Sequence, residues 1–206
     1  MCKRFICLFV ILFSLPIFSQ KDDWKLRKYE NNIKILTRAL PKKALDEYKA
    51  ETIINNSIEA ILDELLTAPS YNKSYQPGVS YYVDKVSNNQ HTFYVYKALP
   101  WPIKNRDLIT LLTVHRLSEH KIKLVLEGLP DALPKKDQTI RIKDLQGHWL
   151  LEEINGKTKV TQQLFVNPEG SLPPFIINLL LIKGPFKTFS HLRKTLDKTE
   201  AFVSKK

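Results

Sequence analysis

Cysteine is almost missing from these 206 residues. The two present, Cys2 and Cys7, lie at the amino terminus, so no disulfide can staple the body of the chain and a hydrophobic core must hold it. Glycine is scarce, at six residues, and none of it forms a G-x-S-x-G elbow or a Gly-rich phosphate loop. The five histidines, His91, His115, His120, His148 and His191, have no metal-ligand spacing and no cysteine partners. Arg-rich helices, aromatic-basic nucleic-acid motifs, internal repeats and low-complexity linkers are all lacking. These absences leave no motif for nucleophilic, metal or nucleotide chemistry, so no cofactor, metal or nucleic acid is expected.

What is present begins with a leader pattern. Lys3 and Arg4 give a basic start, residues 5–18 are apolar except at Ser14 and Pro16, and Ser19 is a small residue suited to cleavage before Gln20. The pattern predicts a signal peptide over 1–19, export to the periplasm or beyond, and one domain over 20–206. A retained anchor is the alternative, opposed by the short apolar run and its proline. Removing Lys3 and Arg4 takes the formal charge from +11 to +9. A secreted chain this basic meets anionic lipid head groups more readily than nucleic acid, although solubility alone explains the charge equally well.

Short alternating runs fill most of the chain. Trp24 and Leu26, then Ile33 and Ile35 after Asn31-Asn32, read as a hairpin, and 44–53 as a third strand. Asn56-Ser57 caps a short amphipathic helix carrying Ile58, Ile61, Leu62, Leu65 and Leu66 and ended by Pro69. Strands follow at 79–86, 92–96, 108–115 and 122–126, the last with Ile122, Leu124 and Leu126 on one face. After a Pro- and Lys-rich loop at 128–137 come strands at 139–143, 147–154 and 157–166, the final two joined by Asn155-Gly156. Eight or nine antiparallel strands and a long terminal helix over 173–196 make an α+β domain.

That helix is unusual. Its start, from Phe175 to Ile182, is apolar on almost every side, yet eight residues reach only about 12 Å, far short of a bilayer. It is either a deep core helix or a lid with one face over a hydrophobic space. Gly184-Pro185 should kink it, since proline removes a helical hydrogen bond. Beyond the kink Phe186, Phe189, Leu192 and Leu196 keep a single stripe, with Lys187, Arg193 and Lys194 facing water.

In order along the chain, several segments resemble the START domain, the steroidogenic acute regulatory protein-related lipid-transfer family. They are Trp24 with Ile33-Lys34-Ile35; Tyr48-Lys49-Ala50-Glu51-Thr52; Leu99-Pro100-Trp101-Pro102-Ile103-Lys104-Asn105-Arg106-Asp107; and Ile140-Arg141-Ile142 with Trp149. Gly156-Lys157-Thr158-Lys159-Val160-Thr161, Asn167-Pro168-Glu169-Gly170-Ser171-Leu172-Pro173, Ile176-Ile177-Asn178 and His191-Leu192-Arg193 continue the series. The resemblance implies a helix-grip fold, a curved antiparallel sheet wrapped around the last helix with a tunnel for one hydrophobic molecule. It favours the lid, gated at Gly184-Pro185, and a monomeric binder or carrier of lipid that touches a membrane transiently. The rivals are a cyclase or hydrolase of the same fold and an envelope interaction module with a filled core.

On this reading the ligand is expected to meet Arg106, Trp101, Leu124, Leu126, Trp149, Phe175, Ile176, Leu179 and Leu180. The Pro100-Trp101-Pro102 loop is too proline-rich for a central strand and reads either as packing on the barrel end or as an apolar lip. Alternation sends one of Arg106 and Asp107 inward and the other outward. A buried Arg106 needs partners, with Glu127 and Asp84 as the candidate acids, unless it is purely structural.

Overall fold

A computed structural model describes residues 23–43, 45–67 and 81–203. The segment read as a leader, Pro69 and the start of the strand read from Val79 lie outside the described residues. Ten strands form one sheet. They are β1 (Lys25–Glu30), β2 (Ile33–Arg38), β3 (Glu47–Ile54), β4 (Tyr81–Ser87), β5 (Gln90–Lys97), β6 (Asn105–Ser118), β7 (Lys121–Gly128), β8 (Thr139–Arg141), β9 (Leu145–Ile154) and β10 (Lys157–Val166). Helix α1 (Ile58–Leu66) follows β3, and the chain closes with α2 (Pro174–Asn178), a π-helical turn (Leu179–Lys183) and α3 (Gly184–Val203).

The strand order is β1-β2-β3-β10-β9-β7-β6-β5-β4, antiparallel throughout. The exception is β8, which lies parallel to the first residues of β6, pairing Asn105, Arg106 and Asp107 with Thr139, Ile140 and Arg141. It occupies the lane that β7 leaves vacant, since β7 ends at Gly128 opposite Thr110. The strand read over 139–143 is thus present but shorter, and parallel where an antiparallel one was expected, and β6 starts three residues earlier than the apolar run at Leu108 indicated.

Local chemistry explains the turns. Asn31 and Asn32 (φ 50° and 57°) and Asn155-Gly156 (φ 52° and 74°) supply the positive φ values of two-residue hairpins whose twist matches the strands. At Gly147 a Cβ would stand 2.3 Å from the carbonyl oxygen of Gln163, so only glycine lets β9 and β10 approach there. Ser57 Oγ accepts from the amide of Ala60 and caps α1 as the sequence indicated. Both outermost strands are irregular: β1 is bulged between Leu26 and Lys28, and β4 has register shifts at Tyr82/Asp84 and Lys85/Ser87.

The main core joins the inner faces of β2, β3, β7, β9 and β10 to α1 and α3, through Ile33, Ile35, Ile54, Ile122, Leu124, Leu151, Ile61, Phe189 and Leu192, all essentially inaccessible. Trp149 stacks on Phe189 at 5.4 Å between centroids. Arg193 donates to the carbonyl of Asn31, and Lys28 lies 4.1 Å over the Phe186 ring, so α3 is also fastened to the β1–β2 hairpin.

The terminal helix departs from the expected simple kink. The Gly184 amide donates to the Leu179 carbonyl, five residues back, so the irregularity is a widened turn just ahead of Pro185. Proline cannot donate and its ring crowds the carbonyl four residues earlier, and widening the turn relieves that crowding.

Candidate ligand cavity

Between the inner face of the sheet and the first half of the terminal helix lies a cavity of about 600 Å³. Sheet alternation builds its floor: Phe93, Val95 and Lys97 come from β5; Arg106, Leu108, Thr110 and Leu112 from β6; Leu126 from β7; and Gln162, Leu164 and Val166 from β10. Ile177, Leu179, Leu180, Leu181, Gly184, Pro185, Lys187 and Thr188 roof it, while Leu65 of α1 and Tyr48 help to close it. Tyr48 and Gln162 satisfy each other, the phenol donating to Oε1 at 2.8 Å, and burial pushes that phenol well above its ordinary pKa. Among the described residues the wall contains no His, Asp, Glu or Cys.

Arg106 and Asp107 point to opposite faces of β6, as alternation indicated, and both are buried. Arg106 points to the cavity side. Its Nε donates to Pro168 O at 3.1 Å, Nη2 to Glu169 O at 3.1 Å and Nη1 to Lys104 O. Neither Glu127 nor Asp84 pairs with it; backbone carbonyls do, and burial lowers its pKa from the usual guanidinium value. This guanidinium ties the Trp101 loop to the turn that enters the terminal helix.

Asp107 points the other way and takes a two-pronged ion pair from Arg141, 2.8 Å at Nε and 3.0 Å at Nη2, plus the Tyr94 hydroxyl at 3.2 Å. Arg141 also donates to the carbonyls of Pro130, Leu133 and Pro134 and so pins the Pro-rich loop over this side of β6. The loop's cover explains why β6 is buried on both faces here. The hydrogen bond from Arg141 to Asp107 raises the Arg141 pKa further. Sequence reasoning missed Arg141 as Asp107's partner, although an aspartate facing away from the cavity under an apolar loop needs a cation.

The residues expected around the ligand separate into three groups. Arg106, Leu126, Leu179 and Leu180 share the cavity wall. Leu124, Trp149 and Ile176 are buried in solid packing, with Trp149 taken up by Phe189. Trp101 and Phe175 point outward at 92% and 61% exposure, so neither reaches the cavity. Phe175 is displaced because Ile176, its neighbour on the helix, turns into the protein. Lys187 faces solvent, as read from the sequence, and also borders the cavity at its rim.

The START domain family matches residues 12–201, nearly the whole chain. The chain belongs to the START domain family. It is 25% identical over 181 residues to an uncharacterized protein of Pseudomonas aeruginosa, covering 86% of this chain and 88% of that one. It is also 27% identical over 161 residues to the phosphatidylcholine transfer protein of Mus musculus, covering 76% and 75%. The crystal structure of a STAR-related lipid transfer protein from Xanthomonas axonopodis superposes with a TM-score of 0.77 at 26% identity, over 85% of this chain and 99% of that one. Human StAR-related lipid transfer protein 5 shares the fold, with a TM-score of 0.74 at 16% identity over 88% and 90%. The START helix grip is thus the fold of this chain, as its sequence resemblance implied.

Proposed function

We propose that this START protein is a non-catalytic carrier that holds one hydrophobic molecule between sheet and terminal helix and exchanges it at a membrane surface. The observation that supports this most is the cavity itself. At about 600 Å³ it lies within the range of single-ligand sites, and its wall is mainly Leu, Ile, Val and Phe. Desolvating an apolar ligand there supplies about 25 cal/mol per Å² buried. The lack of His, Asp or Glu among the described wall residues favours carriage over a cyclase or hydrolase reaction.

The roof is the natural gate. Leu179, Leu180, Leu181 and Ile182 are only half-buried, whereas Phe189 and Leu192 are fully buried, so lifting the first half exposes little that is packed solid. The solvent-facing rings of Trp101 and Phe175 belong to the two chain segments joined through Arg106, and both suit the interface between water and lipid. A basic chain with an export leader would do this work as a monomer outside the cytoplasm.

Native mass spectrometry of freshly purified protein should show a co-purified small molecule, and delipidated protein should take one up from a total lipid extract. A delipidated, folded protein that takes up nothing sinks the carrier reading. Trp101→Ser should weaken binding to anionic vesicles without changing ligand uptake from detergent solution; unchanged vesicle binding removes Trp101 from the contact surface.

A further inference from the structure

The cavity wall carries three cationic residues, Lys97, Arg106 and Lys187, and among the described residues no carboxylate. Residues 68–80, outside the described set, contain neither Asp nor Glu. The charges are grouped. Lys97 ends β5 directly opposite Arg106 on β6, and Lys187 comes from the first turn of α3. Like charges facing each other across a strand pair are unfavourable, and more so beside an apolar space.

Arg106 is accounted for by the carbonyls of Lys104, Pro168 and Glu169, which give it a structural task. Lys97 is not. Its side chain is half-buried and lines the cavity, and no acceptor among the described residues pairs with its ammonium. Burial, and then the neighbouring Lys187 charge, lower its pKa. This is an arrangement that an incoming anion would relieve. From Arg106 the floor runs along β6 through Leu108 to Leu112, roughly 20 Å at about 3.4 Å per residue, with no further charged residue.

Resting on the carrier reading above, we propose that the cargo is an anionic amphiphile whose carboxylate or phosphate head is held by Lys97 and Lys187, its hydrocarbon chain lying along Leu108 and Leu112. The two lysines donate charge-assisted hydrogen bonds from opposite walls, one from the sheet and one from the helix. An anionic head therefore bridges floor and roof and draws the lid down, which a neutral head does not. Ligand charge and lid closure become one event.

The test uses delipidated full-length mature protein and three probes with the same chain: oleic acid, oleoyl lysophosphatidic acid and oleyl alcohol. At least one anionic probe should bind about tenfold or more tightly than oleyl alcohol, the gain expected of charge-assisted hydrogen bonds. A preference confined to oleic acid identifies a carboxylate head, one confined to lysophosphatidic acid a phosphate head, and both uphold the proposal. The Lys97→Gln and Lys187→Gln double variant should lose the preference while retaining oleyl alcohol binding, and Lys97→Arg should keep it. Unliganded Lys97→Gln should melt no lower than the parent, because a repulsion has been removed. If the double variant does not fold, the parent protein decides the matter through salt, which should erode the preference for the anionic probes. Oleyl alcohol binding as tightly as both anions overturns the proposal and leaves the carrier reading standing. Failure of all three probes and of a total lipid extract overturns the carrier reading itself.

Discussion

The two halves of the terminal helix differ in sequence, the first apolar on almost every side and the second along one stripe, yet the less apolar half is the better buried. In the second half Phe189, Leu192 and Leu196 sink to between 0% and 3% exposure against the sheet and α1. In the first half only Ile176 reaches full burial, while Leu179, Leu180 and Leu181 stop half-way, against empty volume. Hydrophobicity alone therefore does not tell an anchored helix from a poised one. The number of neighbouring atoms does, because dispersion and close packing contribute only where something fills the space.

The strongest way to break this contrast is to remove an anchor. Phe189→Ala should cost about 3–5 kcal/mol in urea unfolding, since it strips Trp149 of its stacking partner and leaves a cavity in the core. Leu180→Ala should cost about 1 kcal/mol or less yet weaken ligand uptake. Comparable losses from the two would erase the distinction. Ile176→Ala comes next, at about 2–4 kcal/mol, because this side chain is the single solid foothold of the first half among the described residues. It should also speed ligand release, measured by transfer between vesicle populations.

Pro185→Ala sharpens the contrast from the other side. It restores a helical amide and removes the ring whose crowding the widened turn relieves, and should raise stability by about 1 kcal/mol while slowing ligand exchange. Faster exchange would show that the widened turn is not what lets the roof move.

Acid gives the smallest effect. His148 on β9 has its pKa lowered first by burial and then by Lys123, with Glu47 opposing. The unfolded chain thus takes up its proton first. Stability is full above the ordinary histidine pKa of about 6.5 and falls as pH drops from there toward the folded value. His91, lowered by burial and by Lys85, acts in the same sense. Urea midpoints at about pH 7.5 and about pH 5.5 should show a decline that His148→Gln reduces. An unchanged decline would assign it to other groups.

Much of the fold was written locally. Asn31-Asn32, Asn155-Gly156 and the Ser57 cap specify their turns by themselves, and alternation put Ile122, Leu124 and Leu126 on one face as the sequence indicated. What alternation does not encode is how far along a strand the cavity runs. Leu126 borders it, whereas Leu124, two residues away on the same face, is packed solid. Nor does it encode what covers the opposite face. Asp107 and Arg141 come together only because β8 slips in parallel beside β6, a pairing between residues far apart in sequence. The position of Phe175 depended on the rotation of the helix start about its own axis, which an all-apolar stretch leaves undetermined.

The irregular outer strands have a consequence for a protein of this kind. An open ten-stranded sheet has two rims, and each straight rim would offer a row of free amides and carbonyls to another chain. Here one rim carries Lys25, Arg27, Lys28 and Glu30 around a bulge, and the other carries Asp84 and Lys85 between two shifts in register. Neither presents a flat, uncharged template. The same chain that shelters a greasy molecule inside thus gives its neighbours no ledge on which to build a fibril, even where many copies crowd together.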